Sequence, residues 1–286
     1  MKFSVSSYSF QRLLNSGKYT QLELITVAKD MGFDGIEFID LMPTDGMSEL
    51  EYAAALRDTA QKAGIEISAY TIGADFLCEN GWQAEAERLF SQVDIAAALG
   101  AKCMRHDATG GFKGDEAKYK SFESALPILA NGCRTVTEYA AEKGIATMVE
   151  NHGYFCQDSV RVESLVNAVC HPNFGLLVDM GNFMCADDDP AVAVGRVAKY
   201  AKHVHAKDFH KKSGNGPDPG DGFFRTRGGD YLRGAVVGHG DVPVYQCLQT
   251  LKRSGYDGFV TIEFEGVEDN IWAIKTGLEN LKRYCL

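Results

Sequence analysis

Four short apolar runs in the sequence each end in a side chain that can bind a divalent metal ion. Carboxylates end three of the runs, histidine ends the fourth, and intervals long enough for a helix separate them. If the runs are buried parallel strands, their carboxyl ends meet at one face of a barrel, where active sites collect. An oxygen-rich set with one imidazole suits Mn²⁺, Mg²⁺, Co²⁺ or Fe²⁺ and would also accept Zn²⁺. The candidate ligands are Glu150, Asp179, His203 or His205, and Glu263.

Two of these runs offer a choice of ligand. Alternation along a strand puts His203 and His205 on one face, with Val204 on the other. His205 lies nearer to the end of its run and is the better candidate, while His203 could orient a neighbouring ligand. Glu263 and Glu265 also share a face, and their spacing alone does not choose between them.

The elements that would position these ligands alternate regularly along the chain. A strand-like segment is followed by a helix-like segment throughout, which gives eight β units. This order predicts a parallel sheet, as either a closed barrel or an open doubly wound sheet. No GxGxxG or GxxxxGK[ST] loop follows an early strand, so dinucleotide and P-loop folds lose their main support. We therefore predict an α/β fold, a (β/α)8 TIM barrel, as a single domain over residues 1–286.

The boundaries of the elements follow from apolar periodicity, glycine and proline. The predicted strands are Phe3–Tyr8, Gly35–Ile39, Gly64–Tyr70, Ala101–Arg105, Ile145–Asn151, Leu176–Asp179, His203–Asp208 and Gly258–Glu265. The predicted helices are Tyr19–Met31, Glu49–Ala63, Gln83–Leu99, Glu116–Lys143, Ser159–Cys170, Pro190–Tyr200, Tyr245–Gly255 and Asn270–Tyr284.

One long insertion, at about residues 209–242, follows the seventh strand. Its central part, Lys211–Gly240, is rich in glycine, proline and aspartate, and a loop of this length inside a compact domain is usually functional or disordered. Phe223, Phe224 and Tyr231 favour an ordered lid on the catalytic face. A mobile surface insertion is the alternative.

Composition limits the class of protein. The formal net charge of −10 argues against a general nucleic-acid-binding protein and gives no attraction to anionic membranes. No stretch approaches the roughly 18 apolar residues that span a bilayer. Eight cysteines are scattered without a CxxC pair, which argues against both a disulfide framework and a thiolate zinc site. The first residues read as a strand and lack the apolar core of a signal peptide, so we expect a cytoplasmic protein.

Five sequence runs near the candidate ligands match a known pattern. They are VENHG at 149–153, LVDMGN at 177–182, HVHAKDF at 203–209, VGHGDVP at 237–243 and VTIEFEG at 260–266. Together they resemble the sugar phosphate isomerase/epimerase family, also described as xylose-isomerase-like or endonuclease-IV-like barrels. The resemblance covers nearly the whole chain, and its motifs are specific in combination although each is weak alone.

The resemblance implies a (β/α)8 barrel with one divalent ion, for which we favour Mn²⁺. It implies Glu150, Asp179, His205 and Glu263 as the metal ligands, and it alone favours Glu263 over Glu265. It also implies that Glu150 and Glu263 are the catalytic acid and base, one on each face of the substrate. Barrels of this family commonly form dimers or tetramers, so a homo-oligomer is expected.

Two positions depart from the ketose epimerase branch of this family. The third residue after the Asp of the sixth strand is typically His there, and it is Asn182 here. The sixth residue after the Glu of the fifth strand is another Glu there, and it is Cys156 here. Asn151 and His152 instead follow Glu150 directly. The departures predict a different substrate pocket around the same metal core.

Further polar side chains near the predicted strand ends are candidate substrate contacts. Lys207 lies two residues beyond His205 on the same face and could hold a substrate oxygen, with a salt bridge at the barrel rim as the alternative. The other candidates follow strands or lie in the insertion, where a solvated loop residue is the alternative. The predicted substrate contacts are Glu37, Tyr70, His106, His152, Asn182, Lys207, Arg233 and His239.

We predict a divalent-metal-dependent carbohydrate isomerase or epimerase that acts on a keto-sugar or keto-glycoside. The ion would stabilise an enediolate while one carboxylate removes the α-carbon proton and a second returns it. Loss of a β-leaving group from the same enediolate makes a lyase or dehydratase on a keto-inositol or 3-keto-glycoside the alternative. An AP endonuclease needs a larger three-metal site and a basic groove, which seven histidines and the acidic charge disfavour. A non-catalytic sugar-binding barrel would bind no metal.

Overall fold

Eight parallel strands close into a barrel in the computed structural model, which describes residues 1–285. Around the barrel the strands follow the order β1-β11-β7-β6-β5-β4-β3-β2. The predicted α/β class and single-domain (β/α)8 barrel are confirmed. The strands are β1 Lys2–Ser6, β2 Gly35–Ile39, β3 Glu66–Ile72, β4 Cys103–His106, β5 Ala146–Glu150, β6 Phe174–Asp179, β7 Ala201–Ala206, β8 Asp208–Lys212, β9 Phe224–Arg225, β10 Tyr231–Ala235 and β11 Phe259–Ile262.

Helices surround the barrel, and four of those described begin at a side-chain cap, namely α2, α3, α6 and α8, whose residue ranges are given below. Thr20 and Ser48 each form a capping box with the glutamate three residues later, which satisfies backbone N–H groups that a helix start leaves unpaired. Gly100 ends its helix in the left-handed conformation, which glycine adopts without strain. The helices are α1 Gln11–Asn15, α2 Gln21–Asp30, α3 Glu49–Ala63, α4 Gly81–Leu99, α5 Phe122–Glu142, α6 Ser159–Val169, α7 Asn182–Cys185, α8 Pro190–Val197, α9 Val244–Arg253 and α10 Asn270–Cys285.

Helix α5 starts later than the sequence predicts. The prediction extended it back to Glu116, whereas Gly114–Lys118 form a short 3-10 turn and α5 begins after Ser121. Phe122 is the first residue of this helix that is buried, and none of the 3-10 turn is. A helix in a protein is held mainly by packing of its apolar face, so the polar segment before Phe122 lacks that stabilisation.

The interior of the barrel is divided into an apolar half and a polar half. On β3 to β6 a small apolar cluster fills the space, formed by Ala69, Cys103, Met148 and Leu177. On the opposite side, buried polar side chains form a continuous hydrogen-bonded chain. Ser4 on β1 bonds to Thr261 on β11, and Thr261 Oγ1 lies 2.6 Å from His203 Nε2 on β7. Buried polar groups are stable only when paired, and this chain pairs them beneath the carboxyl ends of the strands.

The insertion after β7 forms a three-stranded antiparallel sheet in the order β8-β10-β9. Arg227 connects it to the loops that follow β5 and β6. Its guanidinium donates to the Asp158 carboxylate at 3.0 Å and to the Ala186 carbonyl at 2.9 Å. Tyr154 donates to the Arg225 carbonyl at 2.8 Å from the other direction. The sheet is therefore braced against the same loops that carry predicted site residues.

Asp208 closes the insertion at its base. Its buried carboxylate accepts hydrogen bonds from the backbone N–H groups of Phe209, Gly238, Gly240 and Val242 at 2.8–3.1 Å. The first and last parts of the insertion are thereby held together by one side chain.

We expect Asp208→Ala to destabilise the protein by about 2–3 kcal/mol, because it leaves several buried N–H groups without a partner. Urea unfolding followed by circular dichroism measures the loss. Asp241→Ala is the matched control, since its exposed carboxylate accepts a single backbone bond, from Lys211. Equal losses in the two variants would contradict the role assigned to Asp208.

Candidate metal centre and substrate cavity

The structure brings the four predicted ligands together at the carboxyl ends of adjacent strands. Glu150 and Asp179 are the last residues of β5 and β6, His205 is next to last in β7, and Glu263 directly follows β11. One ligand atom from each lies within 4.8 Å of the others, and all four residues are buried. His205 Nδ1 is 3.7 Å from Glu150 Oε1, 3.8 Å from Asp179 Oδ2 and 3.6 Å from Glu263 Oε2.

Two atoms of this cluster are left without partners. Within residues 1–285, Asp179 Oδ2 and His205 Nδ1 are buried and have no hydrogen bond. Burial raises the pKa of Asp179 to about 7, with the Glu150 and Glu263 carboxylates acting in the same direction against the nearby Lys207. Buried unpaired polar atoms are costly, and a divalent ion would pair both while neutralising the crowded carboxylates. The donor set of three carboxylates and one imidazole fits one such ion.

Glu37 fixes the orientation of His205 from below. This fully buried carboxylate on β2 lies 2.9 Å and 3.1 Å, through its two oxygens, from His205 Nε2. Because Nε2 carries the hydrogen of that bond, Nδ1 presents its lone pair to the cluster. Burial alone would raise the pKa of Glu37, but His205 and His203 hold it well below its ordinary value. His203 Nε2 lies 3.2 Å from the same carboxylate, so both histidines of β7 converge on Glu37.

The loop after β6 aims Asp179 in the same way. Its Oδ1 accepts the backbone N–H groups of Gly181 at 2.7 Å and Asn182 at 2.8 Å. The Asn151 side chain pairs with the Asp179 backbone through two bonds of 2.9 Å. Oδ2 is consequently the oxygen that faces the cluster.

A cation accompanies each of the two candidate acid/base carboxylates. Arg105, at the end of β4, forms a buried ion pair with Glu150 and donates through Nε at 2.7 Å. Lys207 Nζ lies 2.5 Å from Glu263 and 3.2 Å from Asn182 Oδ1. Burial raises the pKa of both glutamates, but Arg105, His205 and His152 together bring the pKa of Glu150 well below its ordinary value, and Lys207 with His205 lowers the pKa of Glu263 to about 2. Both carboxylates are therefore ionised at neutral pH.

A cavity of about 240 Å³ opens above the cluster. It is bounded by residues at or just beyond the carboxyl ends of the barrel strands. Its lining residues are Tyr8, Ile39, Asp40, Gly73, Arg105, Asp107, Glu150, His152, Lys207, Glu263 and Glu265.

Three of the predicted substrate contacts lie at this cavity or next to it. His152 and Lys207 line it directly. Asn182 links two lining residues, since its side chain donates to Glu150 Oε1 at 3.0 Å and accepts from Lys207. These side chains are close enough to the cluster to contact a ligand held there.

The structure places the other five predicted contacts away from the cavity lining. Glu37 lies beneath His205, the Tyr70 hydroxyl donates to Gln92 at 2.7 Å, and His106 packs edge-on against Phe76. Arg233 stacks over the Phe223 ring within the insertion, and His239 packs against Trp272. Strand alternation explains the difference for His106, because its neighbours Arg105 and Asp107 face the cavity instead.

Sequence reasoning missed several lining residues, notably Tyr8, Asp40, Arg105 and Asp107. The signal that could have found Asp40, Arg105 and Asp107 is their position at or just past the ends of β2 and β4. The rule that polar residues at the carboxyl ends of barrel strands belong to the site applies to them as well as to the ligands. Tyr8 is the last residue of the predicted first strand and lies in the 3-10 turn after β1, so the same rule covers it.

No helix among residues 1–285 combines the length and the hydropathy that crossing a bilayer requires.

The fold and the site define a class of protein: a (β/α)8 barrel with a buried carboxylate–histidine cluster at the catalytic end of its strands. The chain belongs to the xylose isomerase-like TIM barrel family, whose family model matches residues 25–284.

Relatives of the chain include enzymes with different reactions. It is 22% identical over 248 residues to an inosose dehydratase of Clostridium botulinum, covering 82% of this chain and 78% of that protein. It is also 22% identical over 274 residues to the L-ribulose-5-phosphate 3-epimerase UlaE of Escherichia coli, covering 91% and 88%. A solved structure of the probable 3-DHS dehydratase AsbF of Bacillus anthracis matches with a TM-score of 0.75 at 19% identity, covering 99% of each chain.

We expect His205→Ala to lose most of its Mn²⁺ affinity, since it removes the nitrogen ligand. Glu37→Gln should weaken binding on the order of tenfold to a hundredfold, because it removes the charge that orients and polarises His205. Competition with a metal-chelating dye and metal analysis of the purified protein measure both effects. Glu66→Gln, at the exposed start of β3, is the control. Full occupancy in His205→Ala would transfer the ligand role to His203.

Proposed function

We propose that this protein is a divalent-metal-dependent carbohydrate isomerase or epimerase that acts on a keto-sugar or keto-glycoside through an enediolate. The observation that carries the proposal is the pair of ionised carboxylates, Glu150 and Glu263, on one buried cluster at the cavity floor. They come from β5 and from the end of β11, strands that are separated in the barrel by β6 and β7. Two bases that approach from separate strands can reach the two faces of one small substrate.

The residues that would hold the ion are Glu150, Asp179, His205 and Glu263, and Mn²⁺ is the ion we favour. Bound there, a divalent cation would supply electrostatic stabilisation for the negative charge that develops on the oxygens of an enediolate.

The side chains supply the proton transfers. One of the two ionised glutamates removes the proton from the carbon next to the carbonyl. The other first takes up a proton from water in the cavity and then delivers it to the opposite face. Arg105 and Lys207 keep both carboxylates ionised and hold them in place. Lys207 and Asn182 also present hydrogen-bond donors beside the cluster, where they can orient substrate oxygens.

A lyase or dehydratase is the second candidate, and the His152–Asp107 pair favours it. His152 Nδ1 lies 3.1 Å from Asp107 Oδ1, and both residues line the cavity. A carboxylate-oriented imidazole is suited to protonate a departing hydroxyl, which elimination requires and epimerisation does not. A dehydratase among the relatives is consistent with this interpretation.

The proposal also includes a carbohydrate ligand, a cytoplasmic location and a homodimeric or homotetrameric assembly.

We expect Glu150→Gln and Glu263→Gln each to lower the rate of substrate C–H exchange by about 10²–10⁴-fold, since each removes an acid/base group. NMR in D₂O with Mn²⁺ and a panel of keto-sugars and keto-glycosides measures the exchange, and circular dichroism checks the fold. Glu142→Gln, exposed at the end of α5, is the control. Unchanged exchange in either site variant would overturn the acid/base assignment.

The two candidate reactions differ in the fate of a hydroxyl group. For an epimerase, we expect the product to keep every oxygen of the substrate, and His152→Asn to leave C–H exchange within a few-fold of the unmodified protein. For a dehydratase, loss of water forms an unsaturated ketone that absorbs ultraviolet light. His152→Asn should suppress this absorbance while C–H exchange continues. Product mass and absorbance, recorded on the same samples, separate the two.

A further inference from the structure

The cavity carries far more negative than positive charge. Five of its lining residues are carboxylates, and Asp179 adds a sixth from the cluster below. The only side-chain cations of fixed charge among its lining residues are Arg105 and Lys207. A divalent ion would still leave a net charge of about −2 with His152 neutral, by simple addition of formal charges. The electrostatic potential at the substrate position is therefore unfavourable for an anion.

Each lining cation is already paired. Arg105 contacts the carboxylates of Glu150 and Asp107, the second at 3.2 Å. Lys207 lies within 3.6 Å of three carboxylates, those of Asp179, Glu263 and Glu265. His152 is bonded to Asp107. A phosphate or carboxylate group entering the cavity would have to displace one of these pairs to find a positive partner.

Cations near the cavity are also engaged. Arg88 donates to the carbonyl of the lining residue Gly73, and it forms a two-bond ion pair with Glu85 at 2.8 Å and 2.9 Å. Arg12 lies in an adjoining cavity and donates to the Asn270 side chain and to two backbone carbonyls. Neither guanidinium is left open toward the substrate position.

Asp40 adds an acceptor that is free at the rim. It directly follows β2 and has the left-handed backbone conformation, with φ at +38°, which is uncommon outside glycine and asparagine. Within residues 1–285 its carboxylate makes no hydrogen bond; it lines the cavity and is exposed to solvent. Residues held in such conformations are concentrated at functional sites. A carboxylate in this position can accept hydrogen bonds from the hydroxyl groups of a sugar or polyol.

We propose that the cavity takes an uncharged polyhydroxy ketone and rejects sugar phosphates and sugar acids, with Asp40 as a specificity-determining residue. The inference rests on the proposed function for the reacting carbonyl, but its basis is the charge of the cavity and the pairing of its cations. Hydroxyl groups satisfy the rim carboxylates as donors, whereas an anionic group is repelled by them.

The test compares the binding of matched neutral and anionic ketoses to the Mn²⁺-loaded protein by isothermal titration calorimetry. The pairs are L-ribulose with L-ribulose 5-phosphate, and D-fructose with D-fructose 6-phosphate. A titration with inorganic phosphate checks for removal of the metal. We expect the neutral member to bind at least about tenfold more tightly at low ionic strength, and the ratio to shrink as salt screens the repulsion.

Asp40→Asn is the informative variant, because asparagine tolerates the left-handed conformation and the fold should be retained. We expect it to reduce the neutral-to-anionic ratio by about fivefold, since one repelling charge is removed. Asp45→Asn is the matched control: Asp45 lies in the same loop, has a φ of +57° and is exposed outside the cavity.

Tighter binding of the phosphate esters, or no binding of any neutral ketose, would overturn the proposal. An unchanged ratio in Asp40→Asn would overturn the role of Asp40. The proposed reaction is tested separately by C–H exchange in D₂O. If the protein prefers neutral ketoses in calorimetry but exchanges no C–H proton, the selectivity is supported and the epimerase assignment is overturned.

Discussion

Mutual repulsion among carboxylates buried at one end of the barrel is the constraint that organises this structure. Glu150, Asp179 and Glu263 have oxygens within a few ångströms of one another in a region largely removed from water. Charges in such a region interact strongly, and an uncompensated one is expensive to bury. The fold meets this cost with Arg105 and Lys207 on the sides. Asp179 Oδ2 and His205 Nδ1, which have no hydrogen bond within residues 1–285, mark where a divalent cation would complete the compensation.

The polar half of the barrel interior follows from the same constraint. A histidine ligand must keep one tautomer, and the carboxylate of Glu37 beneath it provides that control. Glu37 is itself buried and needs partners, which both histidines of β7 supply. His203 is in turn bonded to Thr261, and Thr261 to Ser4. The hydrogen bonds that orient His205 thus continue from Glu37 through His203 and Thr261 to Ser4. Leaving any of these buried groups without a partner would destabilise the fold.

The sequence predicts the barrel and the convergence of the ligand runs because both depend on simple periodicities. An apolar run that ends in Glu150 or Asp179 indicates a buried strand and also which end of that strand carries functional residues. The role of Glu37 is not predictable in this way, since it depends on a contact across the barrel between strands 168 residues apart in the chain. The same holds for the sheet of the insertion, whose strands are short, are separated by glycine-rich segments and carry no clear alternation. Arg227 and Asp208 order it through contacts that no local pattern displays.

The carboxylate–histidine cluster alone does not select a reaction or a substrate. An enediolate is common to epimerisation and elimination, and the named relatives of this chain include both an epimerase and dehydratases. Selection must therefore lie in the residues around the cluster, where this chain has Asn182, His152 with Asp107, and the rim carboxylate of Asp40. These residues differ from the predicted ligands in one respect: none of them belongs to the buried cluster itself. They are consequently free to vary while the cluster is retained, which explains how one barrel can serve several chemistries.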